Sequence, residues 1–355
     1  MAEQGAGRPA APRAGGRGRV TLSQVAQEAG VSLATASRAI NGSSERRVRE
    51  DLRERVLDAA QRLDYSPDAN AQAMARGRTD TVGLIVQDIA DPYFSAIAAG
   101  VINAADEAGC VVTLATTHRD PVRELEFIAT LQNQRARAII IAGGRVEDAA
   151  VNERLRDVLA TYQDRGGRVA LVGQPLPGLS TVVPDNAHGS ADLARALHGL
   201  GYRDVGILAG PDWHTTARDR QAAFRDALAE LGVEVPADRV VPGDFTRDGG
   251  HAAMTTLLRG EGTPRLVFAV NDVMAVGAMS AVREAGLDVP GDVAVAGFDD
   301  ITTLRDVAPG LTTVALPMVE MGRLAVPLAL DPADGPREVP VGASVVLRES
   351  TPRID

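Results

Sequence analysis

A single cysteine, Cys110, stands among 355 residues, so no internal disulfide can form, which fits a reducing cytoplasm. No apolar run approaches the roughly 20 residues that a membrane-spanning helix needs. Residues 1–19 are rich in Gly, Ala and Arg but lack the apolar stretch of a secretory leader, and read as a disordered arm. The components of catalysis are missing too. His118, His188, His198, His214 and His251 are scattered without metal-ligand spacing. Cys110 begins an apolar strand and reads as core rather than nucleophile. The AGG at 142–144 is followed neither by G-K-[S/T] nor by a full G-x-G-x-x-G, so no phosphate-cradling loop is expected. The expectation is no enzyme, no metal and no cofactor.

Apolar residues make up 45% of the chain and charged residues 24%, a composition that builds cores rather than disorder. The length suggests two or three compact units. The net charge of −10 argues against nucleic acid until it is divided by position. Residues 1–80 hold thirteen arginines against ten acidic residues, and residues 81–355 hold twenty-four against thirty-seven. A basic head on an acidic body is the asymmetry of a chain in which one small module meets phosphate, although such an excess also arises by ordinary scatter.

The strongest local pattern lies at 20–42, VTLSQVAQEAGVSLATASRAING. Thr21 and Gln24 have capping-box spacing and open a helix with Leu22, Val25, Ala26 and Ala29 inward. Gly30 supplies a left-handed stop. Ser32 then caps a second helix, Leu33 to Ile40, with Val31, Ala36 and Ile40 inward. Leu33, Ala34, Ser37 and Arg38 remain on the opposite face. Two short helices around such a turn are a helix-turn-helix. Leu33 and Ala34 suit thymine methyls, Arg38 suits guanine O6 and N7, and the hydroxyls of Thr21, Ser32 and Thr35 suit phosphate. A plain helical hairpin with a solvated arginine remains the alternative. A third helix, Arg49 to Leu63, carries Leu52, Val56, Ala60 and Leu63 on one stripe. Arg46, Arg47, Arg53 and Arg55 read as a solvated or phosphate-facing surface.

Tyr65-Ser66-Pro67 breaks the chain, and 68–76, DANAQAMAR, is helix-prone but short. An isolated helix of that length is marginal in water and should order only against a partner copy and DNA. Met74 would then wedge a minor-groove base step, the alternative being a plain tether.

From Thr81 onward TVGLIV, CVVTLAT, RAIIIAG and RVALVG read as near-continuous apolar strands between helices at 92–108, 121–134 and 151–165. DVGILAG, RLVFAV and DVAVAGF follow, with helices near 187–200, 216–231, 247–260 and 271–286. Two such runs suggest two doubly wound lobes facing one cleft, with ligand at the carboxyl ends of the strands. Asp88, Tyr93, Phe94, His214, Thr216, Arg220, Phe245, Asn271, Asp272 and Asp299 fall just after strand ends. That mixture suits a hydroxyl-rich ligand. Helix caps at Asp272 and Asp299, core packing at Tyr93 and Phe94, a loop role for His214, and a helix start at Asp185-Asn186 stay open beside it.

The segments TLSQVAQEAGVSLATASRAING, RVLDAAQRLDYSP and NAQAM resemble the DNA-binding head of the LacI/GalR family of transcriptional regulators. DPYF, GPDWHTTARDRQAAF, GDF, VNDVMAVGA, DVPGDVAVAGFDD and LTTVALPMVEMG are similar to that family's effector-binding core and to periplasmic sugar-binding proteins. The chain departs from the family at Arg49 and Leu52, where a Ser cap and a Thr are usual, and in a longer 42–48 segment. It departs also at Gln72 and Met74 in the hinge and at Leu316, where glutamine is frequent. His214 stands where purine-responsive relatives carry arginine.

The resemblance implies an α/β protein: an all-α helix-turn-helix head and a two-lobed, periplasmic-binding-protein-like body with doubly wound parallel sheets. Its expected parts are an arm (1–19), a DNA-binding domain (20–66), a hinge helix and linker (67–79) and an effector-binding and dimerisation domain (80–355). DNA contacts are expected from Thr21, Ser32, Leu33, Ala34, Thr35, Ser37, Arg38, Asn41, Tyr65, Asn70, Ala71 and Met74. Effector contacts are expected from Tyr93, Phe94, His214, Thr216, Arg220, Phe245, Asn271 and Asp299. The implied function is a cytoplasmic, homodimeric repressor of a palindromic operator, controlled by a carbohydrate, with no membrane partner. Helices near 92–108 and 317–330 would carry much of the dimer surface.

Overall fold

The computed structural model describes residues 20–41, 48–66, 78–331 and 335–354. Contacts divide the chain after Thr79.

The first unit is built on α1 (Leu22–Ala29), α2 (Leu33–Asn41) and α3 (Glu50–Arg62). The capping box is present: Gln24 N–H donates to Thr21 Oγ1 at 3.4 Å and Thr21 N–H to Gln24 Oε1 at 2.8 Å. Gly30 ends α1 at φ 65°, a left-handed conformation that costs other residues about 1–2 kcal/mol. Ser32 Oγ accepts from Thr35 N–H at 3.1 Å and so starts α2. Val25, Ala26, Ala29, Ala36, Ala39, Val56 and Ala59 form the small core. Ala39 and Ala59 lie deeper than the expected Ile40 and Ala60, which pack at its edge; Ala36 and Ala39 on α2, and Val56 and Ala59 on α3, each three residues apart, share one face of their helix.

Arg55 is exposed, as a solvated surface arginine should be, and also has a structural role. Its Nη2 donates to the Ala29 carbonyl at 2.6 Å, covering one of the carbonyls that α1 leaves open at its end. Arg49 makes no side-chain cap; it pairs with Asp51 at 2.9 Å instead.

In the second unit, β1 (Thr81–Val86), β2 (Val111–Thr116), β3 (Ala138–Ala142), β4 (Val169–Val172), β5 (Ser180–Pro184) and β11 (Glu338–Val341) form a parallel sheet ordered β11-β5-β4-β3-β1-β2. Helices α4 (Pro92–Glu107), α5 (Pro121–Asn133) and α6 (Ala149–Asp164) connect its strands, and α11 (Met318–Leu330) returns to it late in the chain. The second lobe has β6 (Val205–Ala209), β7 (Val240–Pro242), β8 (Leu266–Ala269) and β9 (Ala294–Ala296), ordered β7-β6-β8-β9 and again parallel. Its helices are α7 (Asn186–Gly199), α8 (Thr215–Glu230), α9 (Arg247–Leu258) and α10 (Asp272–Glu284). Short β10 (Thr313–Ala315) pairs antiparallel with β12 (Ser344–Val346) and bridges toward β9 through Ala296–Thr312 and Asp299–Ala315. The chain thus passes between the lobes three times, after β5, β10 and β11.

β1, β3, β4, β6 and β8 are buried nearly throughout, as two-sided coverage by helices demands. β2 does not follow that pattern. It is the sheet edge, and Val111 (71%) and Leu114 (40%) stay exposed. Strands β5, β7 and β11 carry Pro184, Pro242 and Pro340, which hides them from a strand pattern.

Gly100 and Gly322 set the approach of α4 to α11. A Cβ on Gly100 would collide with the Val319 carbonyl, and one on Gly322 with that of Ile97.

Candidate functional site

Residues following β1, β3, β6, β7 and β9 converge on a cavity of about 320 Å³ between the lobes. Its walls are Gln87, Asp91, Tyr93, Phe94, Gly144, His214, Thr216, Arg220, Phe245 and Asp299. Gly144 must lack a side chain: a Cβ there would lie 2.6 Å from both His214 Cε1 and Thr216 Oγ1.

Arg220, on the first turns of α8, is the centre of the site. Its Nε donates to Asn186 Oδ1 at 2.8 Å, Nη1 to the Val270 carbonyl at 2.9 Å and Nη2 to Asp299 Oδ1 at 2.7 Å. The guanidinium lies 3.9 Å over the Phe298 ring. Both charged side chains are almost fully buried, at 2% and 6% exposure. A buried pair survives only with such complete hydrogen bonding.

Asp299 is aimed by a strained turn. It takes φ 116°, and Asp300 φ 56°; such conformations cost about 1–3 kcal/mol each for non-glycine residues. The surroundings hold the turn at four points. Asp299 N–H donates to Val314 O at 2.8 Å, and Leu316 N–H to Asp299 O at 3.2 Å. Ile301 N–H donates to Asp272 Oδ2 at 3.0 Å, and Arg348 Nη2 to Asp300 Oδ1 at 2.7 Å. Asp272 is therefore not the helix cap that its position allowed. Asn271 caps α10, and Asp272 braces the turn, accepting also from Thr313 Oγ1 at 2.7 Å. Burial first, then the Asp299 charge, holds the Asp272 carboxyl well above the usual range.

His214 is the N-cap of α8: its Nδ1 accepts from Ala217 N–H at 3.4 Å. The neutral ring then carries its proton on Nε2, which is buried without a partner. Its face stacks on Phe245 with ring centroids 4.7 Å apart. Burial, then the charges of Arg119, Arg220 and Arg145, press its pKa down to about 3. Asp299 moves oppositely, raised by burial to about 6 against the pull of Arg220.

The two shifts act on stability with opposite signs. The Asp299 term is full below the ordinary carboxylate value near 4 and is lost as pH rises through about 6. The His214 term is present above the ordinary value near 6.5 and is lost as pH falls toward about 3. His214→Gln should therefore lose less Tm than the parent chain on acidification from about pH 6.5 to 4.5. Parallel calorimetric Tm–pH curves for the two would show that His214 titrates normally.

The lobes are tied together across one side of the mouth. Glu147 N–H donates to Trp213 O at 2.8 Å and Thr215 N–H to Arg145 O at 3.0 Å. Gln174 Nε2 donates to Thr216 Oγ1 at 2.8 Å, Arg119 Nη2 to Phe245 O at 3.0 Å, and Arg218 pairs with Glu147.

Of the expected effector residues, seven line this cavity: Tyr93, Phe94, His214, Thr216, Arg220, Phe245 and Asp299. Asn271 does not. Its Oδ1 is occupied by Met274 N–H at 2.9 Å and it is buried in the second lobe. Asp88 turns back onto Ala90 N–H at 3.0 Å. Gln87, Asp91 and Gly144 were missed, as was Asn186, the Arg220 partner. Asp185 caps α7 as its position suggested.

In the head, Leu33 (51% exposed), Ser32 and Ala34 lie on the outer face of α2. Thr35, Ser37 and Arg38 are half-buried. The Arg38 Nε donates to Ala34 O at 3.0 Å, which aligns the side chain along the helix. Thr21 is exposed, and Tyr65 packs against the head core. Asn70, Ala71, Met74, Gln72, Arg46, Arg47 and the Asn41 side chain lie outside the described residues.

Comparison with known proteins gives two family matches: bacterial regulatory proteins of the lacI family over residues 21–68, and a periplasmic binding protein-like domain over residues 194–351. The transcriptional regulator GalR of Escherichia coli K12 is 35% identical over 88% of this chain and 89% of its own. Among solved structures, the regulator CelR in complex with cellobiose is 32% identical, with a TM-score of 0.69 over 94% of this chain and 100% of that one. The lac repressor dimer bound to operator and the anti-inducer ONPF is 27% identical, with a TM-score of 0.81 over 94% and 99%.

Proposed function

The chain belongs to the lacI family of bacterial regulatory proteins, and from that premise we propose a homodimeric, ligand-responsive repressor whose head reads a palindromic operator and whose cleft takes a carbohydrate. One observation carries the reading: a helix-turn-helix with an open groove-facing side is joined in one chain to an interlobe cavity centred on Arg220 and Asp299. Two heads related by a two-fold match two half-sites of a palindrome.

The electrostatics favour a neutral ligand. Each guanidinium at the cleft has a carboxylate: Arg220 with Asp299 at 2.7 Å, Arg145 with Glu124 at 2.8 Å, and Arg119 with Asp91 at 3.9 Å. His214 is uncharged. No net charge is left to attract an anion, whereas the carboxylate oxygens, the His214 Nε2–H and the faces of Phe94 and Phe245 suit hydroxyls and CH faces.

Ligand binding and operator binding are reciprocal: a sugar that loosens DNA must itself bind the DNA complex less well. We place the coupling in the hinge at 67–79, with Asn70, Ala71 and Met74 in the minor groove, and the protein in the cytoplasm with its operator.

The test is a gel shift on symmetric duplexes at low salt, with and without sugars. Arg38→Ala should cost about 1–3 kcal/mol and relax preference at one base pair. Equal loss on every sequence would reassign Arg38 to phosphate, and failure to retain any duplex would end the reading.

A further inference from the structure

A second cavity adjoins the first. It spans about 440 Å³, its opening to solvent included, and shares Gln87 and Gly144 with its neighbour. The two shared residues are joined by a hydrogen bond from Gln87 Nε2 to Gly144 O at 2.8 Å. What lies beyond that bar differs from an apolar packing void. The chain's one tryptophan, Trp213, lines the cavity with 45% of its surface exposed. The same cavity is lined by Arg119, Glu124 and Asn152, with Leu155 supplying apolar wall.

These polar groups are held in place from behind. Glu124 is fixed by Arg145, both side chains being 15% exposed or less. Asn152 Nδ2 donates to Val146 O at 2.8 Å, which sets its amide plane. Arg119 reaches past to Phe245 O, and its Nε is buried with no partner. A buried donor without an acceptor costs about 1–3 kcal/mol, which marks this wall as polar groups not fully paired within the chain.

We propose that this cavity is a second subsite of the effector cleft, so that the effector is a saccharide of two linked units. One unit sits on Arg220 and Asp299, and the other between Trp213 and the Arg119, Glu124 and Asn152 wall. The inference rests on the saccharide reading above. The two cavities meet at the Gln87–Gly144 bar, so a ligand that crosses it touches both linings. An aromatic ring, a carboxylate, a carboxamide and a guanidinium in one lining repeat, beyond the bar, the residue types of the first subsite. Gln87 is the movable half of the bar, because the Gly144 half is main chain. A bridging ligand takes the Gln87 amide in place of the Gly144 carbonyl.

Trp213 makes the test direct, since all tryptophan emission comes from the second subsite. Full-length protein is titrated with glucose and galactose and with cellobiose, maltose, lactose and melibiose, by calorimetry and by fluorescence. At least one disaccharide should bind about tenfold tighter than its component monosaccharides and shift the emission. Asn152→Ala should remove about that tenfold while leaving monosaccharide affinity within about twofold, and Trp213→Ala should remove at least as much of the disaccharide's advantage. Operator gel shifts of both variants, made without sugar, verify that they fold. Disaccharide binding with unmoved emission and indifferent variants overturns the second subsite, as does a monosaccharide that binds as tightly as any disaccharide; either result leaves the saccharide reading standing. Silence from every sugar of both sizes overturns the saccharide reading itself, and the subsite assignment with it.

Discussion

Arg220→Leu is expected to lower folding stability by about 3–5 kcal/mol, because it strands the buried Asp299 carboxylate, and to abolish the response to effector. The Val270 carbonyl and Asn186 Oδ1 lose their donor in the same step. Thermal unfolding should fall by roughly 10 °C. A single variant cannot separate a structural arginine from one that touches ligand, but the pair can be removed together. Arg220→Leu with Asp299→Leu takes away both charges at once, and a buried ion pair replaced by apolar groups is often neutral for stability. The double variant should recover the part of the lost Tm that came from the stranded charge, though not the part from Val270 O and Asn186 Oδ1, and still fail to bind effector in calorimetry, while holding operator DNA. Recovery of ligand binding along with stability would show that the pair only supports the fold.

Leu114→Arg should convert the proposed dimer to monomer and weaken operator binding by roughly 10²–10⁴-fold, the gain that linking two half-site contacts supplies. The argument is one of location. β2 is an edge strand, and its Val111 and Leu114 are exposed and apolar, where a free edge in a soluble chain is normally blunted by charge or covered. Ile102 on α4 and Val319 on α11 add exposed apolar surface in the same lobe. A second copy of the chain is the cover that a two-headed operator reader requires. Leu114 already meets water in the isolated chain, so the monomer should stay folded, with its Tm lowered only by the loss of association. Sedimentation showing an intact dimer would move the interface elsewhere.

The helix-turn-helix was legible because its signals are local. Thr21 with Gln24, Gly30 and Ser32 each act within four residues, and the chain folds them as read. The lobes were legible because parallel strands covered on both faces become apolar throughout. β2 broke that rule through its place at the edge, a property of sheet order rather than of its own residues. At the cleft, residues with an uncommon side chain after a strand end, such as Arg220 and Asp299, stood out. Gln87 and Asn186 did not, since their roles depend on partners 57 and 34 positions away. Asn271 and Asp272 show the limit most clearly. Neighbours at one strand end, both polar and both buried, they divide into a helix cap and a brace for the Asp299 turn, and only the tertiary contacts decide which is which.

The strip that joins the lobes, Glu147 to Trp213 and Arg145 to Thr215, is made by main-chain amides and carbonyls. Peptide groups are the same whatever residue carries them. Substitutions at the cavity walls other than Thr216, whose hydroxyl takes part in the tie, can therefore exchange one metabolite for another while these two main-chain bonds stay, provided that backbone geometry is kept. Recognition and the joining of the lobes are then separable traits: a lineage could retune its chemical diet through side chains while inheriting the main-chain strip unchanged.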